Sequence, residues 1–163
     1  MRKSLLFLLV IAVSCSETAI YHIDSYSIYP DMVIQGEYTS SVESPYKIVS
    51  DFGGESYVWE KKNDHSMFPK LSTTYPVEEA VYNMSIDECI NAVEPDGTLR
   101  TGLEWGGVWT RDVSYSTILS MAYMQPQAAM TSLLCKINSK GEIVQDTGTG
   151  GAWPCSTDRQ VWV

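Results

Sequence analysis

The sequence predicts an α+β protein in which an antiparallel β region is followed by helices. Three observations predict it. Residues 21–57 are rich in β-branched and aromatic side chains and are punctuated at Pro30-Asp31, Gln35-Gly36 and Ser44-Pro45. From Pro76 onward, apolar residues recur at steps of three and four, the period of a helix. The connections between the helical stretches are loaded with glycine, tryptophan and acid.

The elements follow in order. Residues 1–14, MRKSLLFLLVIAVS, read as a secretory signal peptide: Arg2 and Lys3 precede an apolar stretch of nine residues, 5–13, too short to span a bilayer as a helix. The step AVSC resembles the lipobox of bacterial lipoproteins, which makes Cys15 the lipidation site; a plain cleaved signal is the other reading. The expected location is the periplasm, or the outer membrane through a lipid anchor. Residues 16–20 are a tether and 21–70 a β-rich region. Tyr21, Ile23, Ser25, Ser27 and Tyr29 alternate against their neighbours, and the region reads as several short antiparallel strands joined by turns, without a readable register. DFGGES is a turn, and the polar stretch up to Pro76 is a loop.

Pro76 suits a first helical position, and Glu78 and Glu79 fall in the first turn, where the helix dipole favours them. Val77, Ala80, Val81 and Met84, then Ile86, Cys89, Ile90 and Val93, form the stripe, and Pro95-Asp96-Gly97 ends it. A second helix is expected with Asp112 or Ser114 as its cap and Tyr115, Ile118, Leu119, Ala122 and Tyr123 as its stripe. Pro126 restarts a third, with Ala129, Met130, Leu133, Leu134 and Ile137. No fixed-period repeat is visible at this level.

Composition excludes several functions. Without its signal the chain holds 9 basic and 20 acidic residues, a net charge of −11, which repels phosphate backbones and argues against nucleic acid as a partner. Cys89, Cys135 and Cys155 have no CxxC spacing, and the two histidines, His22 and His65, lie far apart, so no metal-ligand set is visible and free thiols are favoured. The glycines at 148–151 are not followed by the Lys-Ser or Lys-Thr of a nucleotide loop, and neither a G-x-S-x-G elbow nor an HExxH is present. No cofactor is expected.

What remains is GVWTRDVSYS. Trp105, Trp109, Arg111 and Asp112 stand together at the mouth of a helix. Tryptophan covers the flat C–H faces of sugars, while carboxylate and guanidinium groups bond their hydroxyls. The plainer reading is that Asp112 caps the helix and both tryptophans fill the core. GTGGAWPCSTD, with Trp153 and Asp158, is either a second ligand-facing loop or a flexible turn.

In order, these clusters resemble the start of a six-hairpin glycosidase, the (α/α)6-barrel glycoside hydrolases, and are most similar to the bacterial glycogen-debranching-enzyme-like branch. The matching positions are Arg111-Asp112, Gly141 with Ile143, the glycine loop 148–151, and Thr157-Asp158 with Trp162. The resemblance covers residues 76–163 and implies the first helices of an incomplete (α/α)6 barrel behind a β domain. It implies substrate-binding roles for Trp109, Arg111, Asp112, Trp153 and Asp158 in an oligo- or polysaccharide pocket. Glycoside hydrolysis needs two carboxylates, and in the family these come from later segments, so no catalytic acid or base is assigned. The ending STDRQVWV reads as a chain cut within an element. The expectation is the N-terminal portion of an exported glycoside hydrolase, inactive alone; the alternatives are a non-catalytic glycan- or protein-binding surface lipoprotein and an exported domain with no ligand.

Overall fold

The computed structural model describes residues 18–144. The signal peptide, Cys15, Cys155, Trp153, Asp158 and Trp162 lie outside the described residues.

The chain is α+β. Six strands form one antiparallel meander in chain order: β1 (Tyr21–Ile23), β2 (Tyr26–Ile28), β3 (Met32–Gln35), β4 (Tyr38–Ser44), β5 (Lys47–Phe52) and β6 (Glu55–Glu60). The expected breakers fall between strands. At Gly53-Gly54 both residues have positive φ, 63° and 79°, the backbone that a two-residue hairpin with the twist of its strands requires and that glycine adopts without steric cost. The expected short antiparallel strands are present, and the register that the sequence left open is set at the start by Asp24, whose φ of 49° turns the chain so that Tyr21 pairs Ile28 and Ile23 pairs Tyr26. A short polar side chain tolerates the left-handed region, which hid this turn within an alternating pattern.

Helix α1 (Pro76–Asn91) packs against β4, with Pro76 at its start and Glu78 and Glu79 in its first turn as expected. Val77 and Val81 share a concavity with Tyr21, Ile28 and Val33, and Val77 N–H donates to Pro30 O at 2.8 Å. Ile48, paired between Val42 and Trp59, is the buried residue of the strands. The junction is closed by a carboxylate. Asp87, 2% exposed on α1, accepts hydrogen bonds from Lys62 N (3.1 Å), Asn63 N (3.2 Å) and Asn63 Nδ2 (3.0 Å), and His65 Nε2 lies 2.8 Å away. One helical residue thus satisfies the backbone of the loop leaving the sheet.

Two further helical rods follow. The first is α2 (Thr110–Ser116), continued by a π-helical turn, Thr117–Met121, and a last turn α3 (Ala122–Met124); the second is α4 (Pro126–Cys135). The core here holds Leu99, Val108, Val113, Met121, Ala128 and Ala129. Of the expected stripes Ala129 is buried as expected, and the large members are corrected. Tyr115, Ile118, Leu119 and Tyr123 are exposed, Leu119 by 78% and Tyr123 by 87%, as are Met130, Leu134 and Ile137. The buried face of α2 carries Thr110, Val113 and Ser114, and that of α4 carries Ala128, Ala129 and Ser132. Small residues let helices approach closely, and hydroxyls are tolerated where they are bonded: Ser114 Oγ donates to Thr110 O, and Ser132 Oγ accepts from Leu99 N at 2.7 Å while donating to Ala128 O at 2.7 Å. Cys89 and Cys135 are free thiols.

A repeat with a 44-residue step appears in the backbone. Val93 bridges Leu99, and Ile137 bridges Ile143. Glu94 N donates to Thr98 O and Asn138 N to Glu142 O, at 2.8 and 2.9 Å; Arg100 N donates to Ala92 O and Val144 N to Lys136 O, at 2.9 and 2.8 Å. Gly97 and Gly141 hold the same place with φ of 82° and 78°. Each turn reverses the chain after a helix ending 44 residues from its counterpart, at Asn91 and Cys135. The reading of no fixed period is therefore corrected. Sequence identity across the two turns is slight, and different side chains brace them: Asp96 accepts from Thr98 N and Thr98 Oγ1, whereas Asn138 accepts from Lys140 N and Glu142 N.

Candidate functional site

The site is built by the segment between the first repeat turn and α2. Leu99 anchors the segment in the core. Gly102 and Trp105 then exchange backbone hydrogen bonds, each N–H to the other's carbonyl at 3.2 and 3.3 Å, which closes a tight loop with Trp105 at its edge. Thr101 Oγ1 donates to Gly107 O at 3.3 Å, and Val108 returns to the core. Trp109 is extended and half-buried, and α2 begins at Thr110.

Trp105 and Trp109 meet edge to face, ring centroids 5.8 Å apart and planes at 84°. Trp105 is 62% exposed. Arg111 and Asp112, both exposed, follow in the first turn. The cap expectation is corrected: the residue preceding α2 is Trp109, its side chain makes no cap bond, and neither Asp112 nor Ser114 caps the helix. Asp112 sits inside the first turn, where the dipole favours a carboxylate. The tryptophans do not fill the core. An exposed Trp105, a half-buried Trp109 against it, and the exposed Arg111 and Asp112 that follow are residue types that can stack on a sugar ring and bond its hydroxyls.

The second repeat turn reaches this place. Thr110 Oγ1 donates to Val144 O at 2.8 Å, so the described chain ends beside the first residue of α2. Trp109, Arg111 and Asp112 are thus brought together, while Trp153 and Asp158 lie outside the described residues. At the 44-residue step, Gly106-Gly107-Val108-Trp109 recurs as Gly150-Gly151-Ala152-Trp153. That spacing was present in the sequence and was the signal that a period search would have found.

Sequence reasoning missed three residues. Asp87 closes the sheet–helix junction. Burial alone would raise its carboxyl; the hydrogen bonds from His65, Lys62 and Asn63 outweigh burial and hold it below the ordinary carboxylate value. Lys136, buried where α4 ends, stands where a helix dipole favours a cation. Arg100, half-buried, lines a cleft between α1 and the π-helical turn. In the same cleft burial raises the Cys89 thiol, with the Glu88 carboxylate adding to it, which makes Cys89 a poor nucleophile.

Comparison of the chain with protein-family models, with curated proteins and with solved structures finds no match.

Proposed function

We propose that this chain carries the glycan-binding wall of an exported glycoside hydrolase whose helical part is the beginning of an (α/α)6 barrel, with Trp109, Arg111, Asp112, Trp153 and Asp158 as substrate-binding residues. The observation that carries the reading is the perpendicular Trp105–Trp109 pair, with Trp105 exposed, directly before the exposed Arg111 and Asp112 of the first turn of α2. Two further features support it. A helix-plus-turn unit repeated every 44 residues is the kind of module from which a ring of helical hairpins is assembled. Val144, from which the chain continues toward Trp153 and Asp158, lies against Thr110, within the first turn that also holds Arg111 and Asp112.

The proposal includes export, with a lipid anchor at Cys15. Among the described residues no helix is long and apolar enough to cross a membrane. The acid and base of hydrolysis are not assigned, and the chain alone is expected to bind without cleaving. Isothermal titration of the purified chain against neutral α-1,4-gluco-, β-1,4-gluco- and β-1,4-manno-oligosaccharides tests the reading. At least one series is expected to bind, and Trp109→Ala to abolish that binding. A chain that binds none of them, or a Trp109→Ala variant that binds like the wild type, would falsify it, and release of reducing sugar by the chain alone would refute its inactivity.

A further inference from the structure

We propose that the cleft between the C-terminal half of α1 and the π-helical turn is a second saccharide subsite, taking an uncharged sugar unit next to the one held by Trp105 and Trp109. The proposal rests on the glycan reading above and extends it to residues that reading leaves out.

The cleft has a volume of about 270 Å³, just below the ~300–1,000 Å³ of small-molecule pockets and enough for a single sugar unit. Three parts of the chain meet in it: Glu88 and Cys89 from α1, Arg100 to Leu103 from the connecting segment, and Ser116, Ser120 and Met121 from the end of α2 and the π-helical turn. Its most telling member is Arg100. The side chain is half-buried, yet its guanidinium makes no ion pair or hydrogen bond among the described residues; only its backbone N–H is engaged, with Ala92 O. A guanidinium cannot shed its charge and offers five donors in a planar fork, so a partly desolvated, idle one is a group waiting for acceptors.

The remaining lining narrows the class of acceptor. Glu88 brings a carboxylate to the same cleft, so an anionic ligand would meet like charge and a cationic one would meet Arg100. A polyol suits both, with Arg100 donating to its hydroxyls and Glu88 accepting from them. Ser116 and Ser120 donate to Val113 O and Ser116 O of their own helix, at 3.1 and 3.4 Å, which leaves their oxygen lone pairs as acceptors. Leu99, Leu103 and Met121 supply apolar wall for C–H faces. The local backbone is also irregular here. Ser120 lies within the π-helical turn, a departure from regular helix that recurs at functional sites, and Thr117 Oγ1 is buried there with no partner among the described residues.

The cleft and the tryptophan pair are built from one loop. Thr101, Gly102 and Leu103 line the cleft; Gly102 is hydrogen-bonded to Trp105, and Thr101 to Gly107. A glycan on Trp109 thus has its neighbouring unit within the span of this loop, and chain length becomes the readout.

The experiment titrates the full chain with glucose, mannose and the corresponding α-1,4-gluco-, β-1,4-gluco- and β-1,4-manno-hexasaccharides. Arg100→Ala is expected to weaken hexasaccharide binding about tenfold, the scale of one charge-assisted hydrogen bond, with the monosaccharide and the melting temperature unchanged. Ser120→Leu, which fills the cleft, is expected to do the same. In the wild type, the Arg100 Nε–H resonance is expected to shift on adding hexasaccharide and to stay still with monosaccharide. If Trp109→Ala loses hexasaccharide binding while Arg100→Ala retains it, and the Arg100 resonance does not move, the subsite is overturned and the glycan reading survives. If the wild type binds no member of the series, both fall together.

Discussion

The sheet with α1 and the pair of helical rods that follow it bury different kinds of residue. In the first region the buried side chains are apolar, Ile48 from the strands and Val77, Ala80 and Ile86 from α1, together with one charge, Asp87, that is held by hydrogen bonds, while Phe52, Tyr57, Val58 and Val81 stay exposed. In the second, small and hydroxylic residues make the contact, and the larger apolar ones, Ile118, Leu119, Tyr123, Met130 and Leu134, face out. The contact in the second region thus leaves its large apolar side chains open to solvent or to a partner. That use of small residues at the contact is why the helical stripes could be located in the sequence yet misassigned to the core.

The sharpest way to break this contrast is at Asp87. Asp87→Ala would leave two backbone N–H groups, an amide and an imidazole without their acceptor in a buried place, and is expected to cost about 3 kcal/mol in urea denaturation. The same carboxylate gives a pH signature. Its folded pKa is held below the ordinary value of 3.8, so its contribution is fully present above that value and is lost as pH falls from there through the lower folded one. Acid unfolding of Asp87→Asn should lack this component. An Asp87→Asn titration that superimposes on the wild type below pH 4 would mean the junction is held otherwise.

The second region is expected to fail through a hydroxyl rather than through an apolar contact. Ser132→Ala removes the acceptor for Leu99 N–H inside the core and should cost about 2 kcal/mol, more than trimming an exposed leucine of the same helix such as Leu134. If Leu134→Ala proves the costlier change, the apolar stripe of α4 is covered in solution and the contrast between the regions is false.

How far the sequence revealed all this depended on which physical signal each part uses. The strands were legible because proline and paired glycines stop them, and α1 because Pro76, Glu78 and Glu79 announce its start. The Asp24 turn was not, since aspartate looks ordinary in an alternating run while adopting φ 49°. Burial in α2 and α4 was misread because hydrophobic period reports that one face differs from the other, not which face the partner takes. In the site, the residue types of Trp109, Arg111 and Asp112 were legible; the capping geometry was not, because an acid near a helix start fits the cap and the first turn equally. Asp87 and Arg100 carried no local pattern at all: what marks them is burial and the presence or absence of partners, which only three dimensions supply.

The repeat offers a finer test of the same contrast. If the two turns are one design used twice, Gly97→Ala and Gly141→Ala should each cost about 1 kcal/mol, because a Cβ is strained at φ near +80° although nothing crowds it at either position. Equal losses in thermal melts support a common unit; a loss at Gly97 with none at Gly141 would leave the second turn without a role in holding α4.

The smallest effect on stability is the most informative about the outer face. Ile118 and Leu119 are 55% and 78% exposed, so in the chain by itself Ile118→Glu with Leu119→Lys should alter stability by no more than about 0.5 kcal/mol, the scale of ordinary surface changes. What should change is association: the wild type, with its apolar stripe open, is expected to self-associate in sedimentation velocity at concentrations where the double variant stays monomeric. The converse outcome, a monomeric wild type and a strongly destabilised variant, would mean that other parts of the chain already cover the stripe.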